Sequence, residues 1–154
     1  MREILFRGKR TDNDEWVEGS FVPDLLEVKG GSDMVSWGFI KSPDLERIKS
    51  PMYEVERETV GQYTGLKDCN GLRIFEGDIL KFKVEDAAQE MLVKVCYGEF
   101  VDENDSQFYL GWHVVGNGMT VSIFNGKDDG YDLLGMCKVA GSIHDNPELL
   151  EVQE

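Results

Sequence analysis

The acids Glu76 and Asp78 flank Gly77, and a pair of carboxylates could serve the acid–base hydrolysis of a glycosidic bond, although sequence cannot select which of the 30 acids would pair in space. In an extended strand they point to the same side, yet polar residues also belong beside any turn glycine. Asp102, Asn104 and Ser106 occupy the first, third and fifth places of a possible calcium loop. Gln107 stands where that loop needs glycine, and His113 stands where it needs a bidentate glutamate, so the pattern fails. Asp128-Asp129-Gly130 reads as an acidic turn following Asn125-Gly126.

Nucleophilic catalysis needs Ser or Cys activated by a histidine that an acid orients. The chain has 2 histidines. His113 lies in the apolar run Tyr109-Leu110-Gly111-Trp112-His113-Val114-Val115, where a strand position is sufficient explanation. His144-Asp145 could pair, but neither a GxSxG-like elbow nor an exposed cysteine is legible beside it. Gly65 and Gly71 have the spacing of a phosphate loop, but Leu72 and Arg73 follow where lysine and a hydroxyl are required. There is no GxGxxG and no βαβ unit for a dinucleotide. The 3 cysteines, Cys69, Cys96 and Cys137, include no CxxC pair. No catalytic, cofactor-binding or metal-ligating residue is therefore assigned, and no cofactor is expected.

What remains is charge. Residues 1 to 84 hold 13 Lys+Arg against 16 Asp+Glu, net −3; residues 85 to 154 hold 3 against 14, net −11. Nucleic-acid binding replaces counterions with lysine and arginine, and the second half offers only Lys94, Lys127 and Lys138. Direct nucleic-acid binding is not expected. An acidic half suits either a basic partner or simple solubility. The acids that would meet such a partner are Glu76, Asp78, Asp102, Glu103, Asp105, Asp128 and Asp129. The charged start MREILFRGKR, the odd cysteine count and the lack of an apolar run of membrane-spanning length point to a soluble cytoplasmic protein, with no membrane contact.

The elements that must carry these residues are short strands. Ile4 and Phe6 alternate with polar residues, TDND at 11–14 is turn chemistry, and Trp16 to Phe21 is extended again, which predicts a hairpin. Leu25 to Val28, Met34 to Lys41 and Met52 to Val55 predict further strands; Ser42 to Ile48 predicts at most a short helix before Pro51. A soft boundary falls at Thr59-Val60-Gly61, giving an N-terminal β module over 1–58 and a second module over 59–154. Beyond it, strands are predicted at Gly61 to Thr64, Leu72 to Phe75, Ile79 to Val84, Met91 to Tyr97, Gln107 to Val115, Met119 to Phe124 and Lys138 to Ile143. Such spacing suits a sandwich or small barrel. Gly116-Asn117-Gly118 predicts a hairpin turn, and Asn146-Pro147 a short terminal helix.

The run Glu58-Thr59-Val60-Gly61-Gln62-Tyr63-Thr64-Gly65-Leu66-Lys67-Asp68, then Asn70-Gly71 and Ile74-Phe75-Glu76-Gly77-Asp78-Ile79, closely resembles the signature of the YopX family of phage and prophage proteins. Phe6-Arg7-Gly8-Lys9 before Trp16-Val17-Glu18-Gly19 supports it, as does Val139-Ala140-Gly141-Ser142-Ile143 before Asp145-Asn146-Pro147-Glu148-Leu149-Leu150. Cys69, and Ser142-Ile143-His144, depart from the usual pattern. The resemblance implies a mainly β protein whose C-terminal half forms a small SH3-like barrel, and it supplies no catalytic residue. The expected function is a non-enzymatic oligomeric protein-binding module, a homo-oligomer meeting a basic host or phage protein. The alternatives are a carboxylate-based metal-dependent enzyme or hydrolase and, behind it, a nucleic-acid-binding barrel.

Overall fold

A computed structural model describes residues 3–23, 38–41, 52–83, 90–103, 106–123 and 133–151. They are mainly strand. The chain divides into two compact units, Met1–Tyr63 and Thr64–Glu154.

In the first unit β1 (Phe6–Lys9) and β2 (Trp16–Pro23) form the predicted hairpin, with Phe6 opposite Gly19 and Lys9 opposite Trp16. The FRGK and WVEG segments are thus the two facing strands of one ribbon. Arg7 lies 4.5 Å over the Trp16 ring, a cation–π contact across that ribbon. Strands β3 (Gly38–Lys41) and β4 (Met52–Val55) extend the sheet beyond β2, and β5 (Gly61–Lys67) pairs with β1 on the other side. A 3₁₀ turn at Arg57–Thr59 precedes β5. Buried Thr59 secures it: its Oγ1 donates to the Glu56 carbonyl at 2.7 Å and accepts the Lys9 N–H at 2.9 Å. The strand expected at Leu25 to Val28, residues 34–37 of the next and the helix expected at Ser42 to Ile48 lie outside the described residues.

The second unit contains β6 (Arg73–Phe75), β7 (Asp78–Phe82), β8 (Met91–Val101), β9 (Phe108–Gly116), β10 (Met119–Ser122) and β11 (Lys138–Ser142). Five of them form an antiparallel sheet in the order β10-β9-β8-β7-β11. Helix α1 (Leu133–Met136), unforeseen in the sequence, precedes β11, and α2 (Glu148–Glu151) follows it as Asn146-Pro147 predicts. The period-two pattern holds where it was clearest. Leu80, Phe82, Val93 and Val95 enter a core with Ile74, Trp112, Val114, Ile123 and Cys137, while Lys81 and Lys94 stay on the other face. Asn117 and Gly118, at φ 51° and 71°, make the two-residue turn that joins β9 to β10.

The turn between β5 and β6 is organised by one side chain. Asp68 Oδ1 accepts the N–H groups of Asn70 at 2.8 Å and Leu72 at 2.9 Å, and Oδ2 accepts that of Val139 at 3.1 Å. A local turn is thereby pinned to β11, 71 residues further along the chain. The Cys69 N–H adds a second tie, to the Cys137 carbonyl.

Candidate functional site

Of the acids nominated for partner contact, Glu76, Asp78, Asp102 and Glu103 are among the described residues. Glu76 lies in the turn before β7, and Gly77 has φ +79°, so the two acids are not successive same-side positions of an extended strand as alternation predicted. Asp78 is buried, and its Oδ2 accepts the Phe75 N–H at 2.7 Å, closing that turn. Asp102 is fully buried, with Oδ2 accepting the Ser122 N–H at 2.8 Å. Glu103 is exposed and pairs with Thr120 twice, accepting its N–H through Oε1 at 3.0 Å and donating its own N–H to the Thr120 carbonyl. Asp105, Asp128 and Asp129 lie outside the described residues. Among the described residues, no three of His, Cys, Asp and Glu come together as a group that could hold a metal ion.

The histidines are held by local structure. Ser142 Oγ donates to Asp145 Oδ2 at 3.1 Å and accepts the N–H groups of His144 and Asp145. A nucleophilic serine must hand its proton to an imidazole, whereas this one bonds the carboxylate directly and caps a turn. His113 stands opposite Cys96 across β8 and β9, a pairing that alternation alone did not expose. Its Nδ1 is 3.1 Å from the Gly111 carbonyl, and its ring stacks on Phe100 at 4.4 Å. Burial pushes the Cys96 thiol above its ordinary pKa, with Lys94 opposing and Glu76 adding to the rise. A thiol held protonated is a poor nucleophile. Cys69, in the turn between β5 and β6, is exposed. Alkylation with iodoacetamide at about pH 7.5 should therefore label Cys69 first, Cys96 slowly, and buried Cys137 only as fast as the protein opens. Mass spectrometry showing Cys96 labelled ahead of Cys69 would contradict this assignment.

The unusual surface is on β8 and β9 themselves. These strands run in register from Lys94–Val115 to Val101–Phe108, whereas β7 pairs with β8 only at Met91–Lys94 and β10 with β9 only at His113–Gly116. Directly opposed residues share a face. At the base of the ribbon the inward face carries Val95, Trp112 and Val114. Towards the tip, beginning around Tyr97, this face becomes exposed. Phe100 on the other face is buried, and the tip returns to β10 through Asp102 and Glu103. Gly98 has φ +153°, which L side chains rarely adopt, so the ribbon passes through a conformation there that favours glycine.

The face that is core-side at the base is solvent-facing further along the ribbon. Exposure on this face begins at Tyr97, opposite buried Trp112, and continues through Glu99, Val101, Phe108 and Leu110. Phe108 is 85% exposed, Leu110 69% and Tyr97 54%. With roughly 150–250 Å² per aromatic side chain, these fractions amount to several hundred Å² of apolar surface, at the upper end for a monomer and typical of contact sites. Beyond Lys94, which lies at the base of the ribbon on its other face, neither strand holds a lysine or arginine.

A family model described as YopX protein matches residues 5–151. The chain belongs to the YopX family. The matched span takes in both units of this YopX-family protein, from the β1–β2 hairpin to α2. Among solved structures, protein EF1440 from Enterococcus faecalis is similar: 25% identical, covering 97% of this chain and 99% of that one, with a TM-score of 0.47. No curated protein matches. Among the described residues, no helix is long and apolar enough to cross a membrane.

Proposed function

We propose that this YopX-family chain is a non-enzymatic protein-binding module whose contact surface is the outward apolar face of the β8–β9 ribbon. The observation that supports it is the row Tyr97, Val101, Phe108 and Leu110, large apolar side chains left in water by a well-registered ribbon. Exposing such a row weakens solubility unless a partner covers it, and aromatic side chains are frequent interface anchors. In the same proposal the second unit is an SH3-like barrel, for which the return of Asp102 and Glu103 to β10 is the support. The protein works in the cytoplasm of a bacterial host as a phage or prophage product.

The test compares the wild-type chain with Phe108→Ser/Leu110→Ser as bait in bacterial lysate. Both positions are exposed, so the double variant should melt within about 2 °C of wild type. A protein captured by the wild type should be depleted about tenfold or more on the variant, because truncating anchor residues costs this much or more in affinity. Identical capture by both baits would remove the ribbon face as the contact surface.

A further inference from the structure

The ribbon face carries more information than its apolarity. Along β8 it reads Tyr97, Glu99, Val101 at two-residue spacing, so a carboxylate stands between two apolar side chains, with Leu110 directly opposite Glu99 and Phe108 opposite Val101. Successive same-face positions are about 7 Å apart in an extended strand. Covering this face takes Glu99 out of water along with its apolar neighbours. A carboxylate buried without a partner is strongly unfavourable, whereas a hydrogen-bonded cation supplies both charge and donors. This face of the ribbon supplies no such cation: Lys94, the one lysine or arginine of β8 and β9, belongs to the other face.

We infer that the occupant of this face is a protein segment presenting a lysine or arginine between large apolar side chains, apolar-x-basic-x-apolar when extended. The inference rests on the protein-binding reading above and adds the chemistry of the partner. A second copy of the chain fits poorly on two counts. A two-fold contact through this face juxtaposes the same patch of both subunits, bringing one Glu99 towards the other, on chains that each have a net charge of −14. The patch also falls short of the roughly 800 Å² per partner of an ordinary globular interface, and suits a segment better. A nucleic acid is disfavoured by the missing cations.

The decisive measurement is a titration at physiological salt followed by amide chemical shifts, using three synthetic peptides: repeated Leu-Thr-Lys-Thr, repeated Leu-Thr-Glu-Thr and repeated Ser-Thr-Lys-Thr. Wild-type protein should bind the Leu/Lys peptide about fivefold or more tightly than the Leu/Glu peptide, with shifts centred on Tyr97 to Val101 and Phe108 to Leu110. Glu99→Lys should reverse that preference, and Phe108→Ser should weaken both Leu-containing peptides about tenfold. Leu110→Ser provides a second variant, and unchanged melting verifies that each is folded. If Leu/Lys and Leu/Glu peptides bind alike and Phe108→Ser weakens both, the basic-partner inference is wrong while the protein-binding reading stands. Equal binding of Ser/Lys and Leu/Lys would reduce the effect to bulk charge and overturn the inference. So would the absence of ribbon shifts with every peptide. A dimer in sedimentation that Phe108→Ser dissociates would make a second copy the occupant.

Discussion

Replacing Asp68 with alanine is expected to destabilise the protein by about 3–4 kcal/mol, seen as a lower urea midpoint with an unchanged slope. The carboxylate accepts three backbone N–H groups, those of Asn70, Leu72 and Val139, and is itself buried. Hydrogen bonds to a charged group contribute about 1.5–3 kcal/mol each, and donors left behind without an acceptor add their own desolvation cost, though the terms do not sum independently. Asp68→Asn keeps an oxygen acceptor but loses the charge, so it should fall between alanine and wild type. The same site sets a pH dependence. Burial works to raise the Asp68 pKa, but the N–H groups of Val139, Leu72 and Asn70, with the Asn70 side chain, outweigh it and hold the carboxyl below its ordinary value. The unfolded chain therefore binds this proton more readily than the folded one. Its stabilising contribution is complete above the unfolded value of about 3.9 and disappears as pH falls through the lower folded value. Stability curves of wild type and Asp68→Asn should converge in that acid range. Parallel curves there would show that the carboxylate charge contributes nothing.

Gly116→Ala is expected to cost about 3 kcal/mol for a different reason, which for a chain of this size lowers the melting temperature by roughly 6–12 °C. A Cβ at position 116 would stand 2.5 Å from the Leu92 carbonyl oxygen, 3.0 Å from Val93 Cα and 3.2 Å from Val93 Cγ1. The first two are main-chain atoms of β8, which cannot rotate away, and Val93 is fully buried in the core. Relief requires β8 and β9 to move apart where their hydrogen bonds and the β9–β10 turn hold them. Gly111→Ala is the internal control: a Cβ there meets nothing within 4 Å, so a change within about 0.5 kcal/mol is expected. Equal melting of the two variants would show that the close approach at Gly116 is not maintained in solution.

Local pattern was informative wherever one short stretch contains the cause. Alternation identified β7 and the start of β8, Asn117-Gly118 identified a turn that needs positive φ at both places, and TDND marked the bend after β1. The ends of elements were harder. Strand β8 continues to Val101, past the expected Tyr97, because pairing with β9 persists after neighbouring strands have ended. Helix α1 has only Leu133–Met136 and offers no period to detect. Asp68 was legible as a turn residue but not as the acceptor for Val139, a partner that only folding brings near. Asp78 and Asp102 looked like exposed acids because composition says acids face water, yet Asp78 accepts the Phe75 N–H within a turn and Asp102 accepts the N–H of Ser122, 20 residues away on β10.

The residues alone establish a mainly β, strongly acidic chain of the YopX family, since alternation, turn chemistry and charge are properties of neighbours in sequence. Tertiary structure alone decides which face of β8 and β9 is inward. The same alternating face holds Val95 and Trp112 in the core, then Leu110 and Phe108 in water, because β8 and β9 stay paired beyond the reach of β7 and β10 while their tip is tied back to β10 by Asp102 and Glu103. Period-two alternation specifies two faces but not which one meets the core, and where a strand outruns its sheet neighbours, the assignment changes along its own length.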